Sequence, residues 1–189
     1  NKTGLTQLIG NPVLWNNDNQ MTGDVMHLIG NNKTEQLDSL KVINNAFIVQ
    51  KDSLSENGYN QIKGQYLYGK FKENKLSEVD VVKNTEVIYY MYNDKNELVG
   101  IDKKVCSKLN FVFENNQIVS QTAFNNVEAK TYPESEFPEN ARKLRGFIWR
   151  GDERIKSKED IFPEEENKIH QQILLESKKK ASEEDIPME

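Results

Sequence analysis

From Val13 to about Phe124 the chain is written in short runs of apolar and polar residues, broken by clusters of asparagine and glycine. Breaks fall at Asn16-Asn17-Asp18-Asn19, Gly30-Asn31-Asn32, Asn57-Gly58, Glu73-Asn74, Asn93-Asp94-Lys95-Asn96 and Glu114-Asn115-Asn116. Asparagine and glycine tolerate the positive φ that tight hairpins require. Between the breaks lie β-branched and aromatic stretches such as Leu40-Lys41-Val42-Ile43, Glu86 to Tyr92 and Leu109-Asn110-Phe111-Val112-Phe113. Their alternation with period two predicts short antiparallel strands and an all-β domain.

The runs repeat. Asn19-Gln20-Met21-Thr22-Gly23 returns as Asn60-Gln61-Ile62-Lys63-Gly64. After each come a strand (Val25 to Ile29; Tyr66 to Phe71) and an Asn-Lys turn (Asn32-Lys33; Asn74-Lys75). A strand of Leu-x-x-apolar-x-Val form follows, Leu37 to Val42 and Leu76 to Val81, ending towards Asn45-Ala46 and Asn84-Thr85. A weaker third copy runs from Gly100 through Phe111 to Ile118. The period is about 40 residues, within the range of stacked repeat architectures. One such unit cannot bury its apolar face alone, so the units are expected to join into one sheet, folded over until the apolar faces meet.

Character changes at Tyr132. The prolines at Pro133 and Pro138 exclude a central strand and a continued helix. A charged linker and helix are expected over residues 151–181, the helix starting at Pro163, with Glu164 to Glu166 at its positive end and Lys178 to Lys180 at its negative end. Ile169 and Ile173 give that helix a thin apolar stripe, and 182–189 reads as a disordered tail. The β-domain is placed at 1–150.

Composition narrows the function classes. Hydrophobic residues make up 36%, charged residues 29%, and mean hydropathy is −0.78. Such a polar chain suits a thin sheet with one wetted wall better than a thick core. The net charge of −5 argues against a nucleic-acid partner. No run is long and apolar enough for a membrane-spanning helix, and residues 1–8 lack the pattern of a signal peptide. The single cysteine, Cys106, excludes an internal disulfide and is expected to be a small strand hydrophobe. With only His27 and His170, on separate elements, no metal site is expected. Asn-Lys-Thr at Asn1 and Asn32 matches the glycosylation pattern, with nothing else to support it. Phosphate-loop and nucleophile-elbow signatures are absent from the sequence, and the acidic runs fall in the predicted helix and tail; no enzyme, catalytic residue or cofactor is expected.

The Asn-Gln-x-x-Gly-Asp opening at Asn19 to Asp24, the order of the repeats, and the segment from Tyr132 to Phe147 (Tyr-Pro-Glu-Ser-Glu-Phe-Pro-Glu-Asn-Ala-Arg-Lys-Leu-Arg-Gly-Phe) resemble the OstA/LptA-like family, in particular OstA-like proteins of Bacteroidetes-type bacteria. The resemblance covers roughly Val13 to Phe162. It implies a folded-over open antiparallel sheet, a β-jellyroll or taco, with an apolar groove. It also implies a periplasmic role in sheltering the acyl chains of lipopolysaccharide or lipid A, and partners that join through sheet edges, among them other lipopolysaccharide-transport β-proteins and further copies stacked head to tail. The acidic balance, the C-terminal helix and the abrupt start depart from the shorter transport protein, so the chain is expected to be the C-terminal part of a longer OstA-like protein.

Alternation nominates Met26, Leu28, Leu40 and Val42 in the first unit as the apolar face. Leu67, Phe71, Val79 and Val81 follow in the second unit, then Leu109, Phe111, Phe113 and Ile118. A lipid groove and a closed sandwich core require the same pattern, so both readings stay open; the family resemblance favours the groove. The cluster from Arg142 to Arg150 also reads two ways. Arg142, Arg145 and Arg150 suit lipid phosphates, with Phe147 and Trp149 at the acyl boundary. The plainer reading is a final strand over Gly146 to Trp149 that packs its aromatics and leaves its arginines in solvent. That strand and Val13 to Trp15 are the expected sheet edges. The rival function is a structural adaptor of the cell envelope that pairs through those edges and binds no lipid.

Overall fold

The computed structural model describes residues 4–16, 18–114, 117–157, 159–161, 166, 168–169 and 171–176, without the side chains of 117–118 and 159. The chain divides into two units, Asn1–Trp149 and Arg150–Glu189.

The first unit is a ten-stranded antiparallel sheet. Its short strands are β1 (Leu5–Ile9), β2 (Val13–Asn16), β3 (Asn19–Thr22), β4 (Val25–Asn31), β9 (Gln117–Phe124) and β10 (Glu128–Tyr132). Four long strands, β5 (Gln36–Lys51), β6 (Tyr59–Lys72), β7 (Lys75–Tyr92) and β8 (Leu98–Glu114), run through its middle. Hairpin chemistry joins them: Glu73 and Asn74 both take positive φ between β6 and β7, as a two-residue loop of this hand requires. Between β7 and β8, the Asn93 side chain accepts hydrogen bonds from the Lys95 and Glu97 amides.

Each long strand changes walls halfway. In β5 the ladder breaks between Ile43 and Ala46, where Asn44 and Asn45 stand at φ 59° and 51°. In β7 it breaks between Val82 and Thr85, with Lys83 and Asn84 at 65° and 52°. Asn125 and Asn126 make the same turn between β9 and β10, and Gly10 and Asn11 make it between β1 and β2. Two consecutive left-handed residues end the alternation and send the strand on in a new direction, and asparagine is among the few side chains that accept this locally. Together these positions form a crease across the sheet.

The crease leaves two walls. Wall A contains β1, β4, the first halves of β5 and β7, the second halves of β6 and β8, and β9; wall B contains β2, β3, the remaining halves and β10. One core cluster holds residues of both, such as Val42, Val81 and Leu109 of wall A with Met21, Ala46 and Val87 of wall B, so the inner faces meet. Among the described residues no ladder joins the β1–β2 side to the β9–β10 side, so the sheet is open. The folded-over open antiparallel sheet read from the sequence is the architecture observed.

The two glycines of the Asn-Gln-x-x-Gly repeats sit on the crease for a steric reason. A Cβ on Gly23 would lie 2.2 Å from Val42 Cγ1, and one on Gly64 would lie 2.5 Å from Val81 Cγ1. The repeat therefore brings the same close approach of strand to strand at both places.

One expectation is corrected. Gly146 to Trp149 is not a strand; the last strand of the sheet is β10, and residues 133–149 form an irregular strap with short 3₁₀ turns at Glu134–Glu136 and Glu139–Ala141. Pro133, Pro138 and the positive φ of Gly146 (92°) break regular pairing. The strap also crosses the strands of wall B instead of running along one. The sheet edges are thus β1 and β2 on one side and β9 and β10 on the other, so Val13 to Trp15 is an edge and Gly146 to Trp149 is not.

In the second unit, 3₁₀ turns occupy Gly151–Glu153 and Glu159–Ile161, and the backbone is helical at 166, 168–169 and 171–176, with Ile169 and Ile173 exposed. Pro163, Glu164, Glu165, His170, Lys178 to Lys180 and residues 182–189 lie outside the described residues. No described helix is long and apolar enough to cross a membrane.

Gly64→Ala is expected to cost about 1–3 kcal/mol by overpacking at Val81. Asn84→Val should cost about 1–2 kcal/mol, and Asn84→Gly should be close to neutral, because only the backbone conformation is demanded there. Urea denaturation midpoints of the three variants check the pattern.

Candidate functional site

The inner face of wall A is built from cross-strand rungs. The rung nearest the crease reads Leu8, Met26, Val42, Leu67, Val81, Leu109 and Ala123, each paired with the next. A second reads Thr6, Leu28, Leu40, Gly69, Val79, Phe111 and Gln121. Further out, Phe71 pairs with Leu76 and Phe113 with Ile118. Residues directly opposite on neighbouring strands share a face, so the groove candidates named from alternation, Ile118 aside, occupy one face of one wall. The side chain of Ile118 lies outside those described.

These side chains differ in access to water. Met26 and Leu109 are 0% exposed, and Val42, Leu67, Val79, Val81, Leu40 and Phe111 are also buried. Leu28, Phe71 and Phe113 are half-buried and pack against the others. The apolar face is therefore closely packed beside the crease and partly open at its lip.

Wall B answers with one apolar rung: Leu14, Met21, Ile48, Ile62 and Val87, continued by Lys104 and Ala129. The next rung outward is polar, with Asn16, Asn19, Gln50 and Asn60 on one stretch and Tyr89, Asp102 and Thr131 on the other. Tyr89 is 49% exposed there. The trough is asymmetric, with an apolar lip on wall A facing a polar lip on wall B. These partners on wall B were not nominated from the sequence. Ile48 and Val87 are flanked by the apolar neighbours Phe47, Val49 and Ile88, which hides the period there, whereas Met21 and Ile62 stand between polar residues and could have been named by alternation.

Those apolar neighbours face outward and are covered. Phe47, Val49, Ile88, Tyr90 and Ile101 form a second core cluster with Phe137 and Leu144 of the strap. Two buried glutamines hold the strap down. Gln61 Nε2 donates to the Arg142 carbonyl at 2.7 Å, while its Oε1 accepts from the Leu144 amide at 2.9 Å. Gln20 Nε2 donates to the Ile148 carbonyl at 2.7 Å. Both are the glutamine of the repeated Asn-Gln-x-x-Gly. Trp149 meets Trp15 edge to face at 5.4 Å, and Phe147 packs on Phe47 and Tyr59. Phe147 and Trp149 do pack on the sheet, as expected, but from across it.

Arg142 and Arg145 lie on the strap and not on the inner face of either wall. Arg142 lies on the strap and is engaged in folding it: its Nη2 donates to the Glu134 carbonyl at 3.1 Å, and Nε stands 2.8 Å from a Glu139 carboxylate oxygen. Arg145 is exposed. Arg150 belongs to the second unit, where Nε donates to Glu153 at 2.8 Å. That bond holds the Glu153 carboxyl below its usual range.

Cys106 is buried on the inner face of wall B, where desolvation pushes its thiol up and away from thiolate chemistry. A separate concavity of about 800 Å³ lies between Leu54 to Asn57, Tyr59, Tyr92 and the strap residues Glu134, Glu139 and Arg142. Beside it the Tyr92 hydroxyl donates to Asp52, and burial, then that bond, hold the phenol above its ordinary range. Among the described residues no cluster of three metal-ligating side chains is found.

No protein-family model and no curated protein matches this chain. Among solved structures it is similar to LptH, the LptA homologous periplasmic component of the conserved lipopolysaccharide transport device from Pseudomonas aeruginosa, at 11% identity and a TM-score of 0.47, over 70% of this chain and 87% of that one. A likeness at that level carries no argument about activity.

Removing one strap glutamine leaves buried backbone groups without partners, at about 1–3 kcal/mol each. Gln61→Ala is expected to lower stability by that order and to expose the strap to cleavage at Lys143. Limited trypsin digestion followed by intact-mass measurement checks both ends of the claim.

Proposed function

We propose that this protein is a periplasmic lipid carrier or bridge, which shelters the acyl chains of lipopolysaccharide between its two walls on the way to the outer membrane. It works by binding and not by catalysis. The observation that carries the reading is the inner face of wall A: an apolar surface continuous across the strands, inside an open sheet, with a half-buried lip at Leu28, Phe71 and Phe113. The resemblance of the Asn-Gln-x-x-Gly repeats and the Pro-rich segment to OstA-like proteins points the same way. An acyl chain entering at the lip would bury apolar surface worth roughly 25 cal/mol per Å², and separation of the packed walls would extend that contact inward.

A second reading has its own observation. The sheet is open on both sides, and an unpaired edge is a template for a further strand. On that reading the protein is an envelope adaptor that pairs with other lipopolysaccharide-transport β-proteins, or head to tail with itself, and takes no lipid. Carrier and bridge roles are compatible, since strand addition at β1–β2 and β9–β10 would align successive troughs.

Titration with lipid A separates the readings. Saturable binding is expected for the carrier, and a folded protein that binds partner β-proteins but no lipid A would leave the adaptor. Phe113→Glu, at the lip, is expected to keep the fold by circular dichroism and to abolish lipid A binding, because an unpaired carboxylate against acyl chains costs several kcal/mol. Leu109→Glu, in the sealed rung, should instead unfold the domain.

A further inference from the structure

Within the apolar rung of wall B one position is charged. Lys104 is paired across the strands with Val87 on one side and Ala129 on the other, and therefore faces the trough with Val87, Ile62 and Met21. Its ammonium is close enough to act on the buried Cys106 thiol of the same face. The side chain is only 19% exposed, and among the described residues the one carboxylate that meets it, Asp102 at 3.3 Å, is 17% exposed. A largely buried lysine with one counter-ion is costly unless something more is done with its charge. Lys104 stands one strand in from the open end of the trough, where Gln121 of wall A and Ala129 and Thr131 of wall B are exposed.

Resting on the carrier reading above, we infer that Lys104 is the anion-binding residue of the trough, and that the favoured occupant is an amphiphile with a phosphate or carboxylate head held at Lys104 and its acyl chain on the lip of wall A. Asp102 then acts as the internal counter-ion that the anionic head displaces. The asymmetry of the two walls fits such an occupant, since the outer rung of wall B offers Tyr89 and Thr131 to a head group while wall A offers Leu28, Phe71 and Phe113 to a chain. The Arg142 side chain, tied into the strap, is not needed for this.

The test uses the full chain with monomeric dodecyl phosphate, its neutral counterpart monolauroylglycerol, and inorganic phosphate. Wild-type protein is expected to bind dodecyl phosphate more tightly than monolauroylglycerol and inorganic phosphate weakly. Lys104→Met should weaken dodecyl phosphate about tenfold, the order of one charge-assisted hydrogen bond, and leave monolauroylglycerol unchanged. Lys104→Arg should retain the preference, and Asp102→Asn should strengthen dodecyl phosphate binding, an opposite sign that a purely structural ion pair would not give. If both amphiphiles bind and Lys104→Met changes neither, the inference is overturned while the carrier reading stands. If neither amphiphile binds, the carrier reading fails and takes the inference with it. Inorganic phosphate that binds as tightly as dodecyl phosphate would mark a free-anion site and overturn the lipid assignment.

Discussion

The architecture depends on one backbone constraint: strands must turn out of their own plane midway without leaving the sheet. Paired left-handed residues at Asn44–Asn45, Lys83–Asn84 and Asn125–Asn126 meet it. Each pair costs conformational energy, modest for asparagine and greater for Lys83. The ladders on either side offset that cost, and so does the burial of Met21, Val42, Val81 and Leu109 where the walls close on each other. Without the crease, the same strands would form a flat sheet with apolar residues on both faces and nothing to cover them.

A second cover follows from the first. Folding buries one face of wall B against wall A and leaves the other face, with Phe47, Ile88 and Ile101, still apolar. The strap closes it. Because the strap crosses the strands, it cannot use their ladder hydrogen bonds, and its carbonyls and amides need partners of another kind. Gln20 and Gln61 supply them from fixed positions in the sheet, which explains why the repeated motif carries a glutamine on its outward face next to a glycine on the crease. The motif serves both faces of the wall at once.

What could be read in the sequence followed from how single-valued each signal was. On wall A, polar residues alternate with apolar ones: Lys41, Asp80 and Asn110 face out between Leu40, Val42, Val79, Val81, Leu109 and Phe111. Period two therefore named the inner rungs directly. In the wall B halves of β5 and β7 both faces are apolar, Phe47 beside Ile48 and Val87 beside Ile88, so those runs look uniformly apolar and hide their inner members. The Phe147-Ile148-Trp149 alternation has the look of a strand because it too places two aromatics on one side; its direction across the sheet is a tertiary fact with no local mark. Lys104 carries no mark in the sequence, because a lysine in a strand is ordinarily solvent-facing, and only its register against Val87 shows otherwise. The hairpin at Glu73–Asn74 was legible because positive φ leaves a compositional trace.

The central claim is that acyl chains lie between the walls. Methyl-resolved NMR during titration with a monomeric lipid tests it most directly, because the two faces of wall B carry separate reporters. Ile48 and Ile62 point into the trough, whereas Val49 and Ile88 lie under the strap. The account predicts lipid-to-methyl contacts at Leu28, Ile48 and Ile62, with Val49 and Ile88 unaffected. Contacts confined to Val49 and Ile88, or none at any methyl while lipid binds, would contradict it.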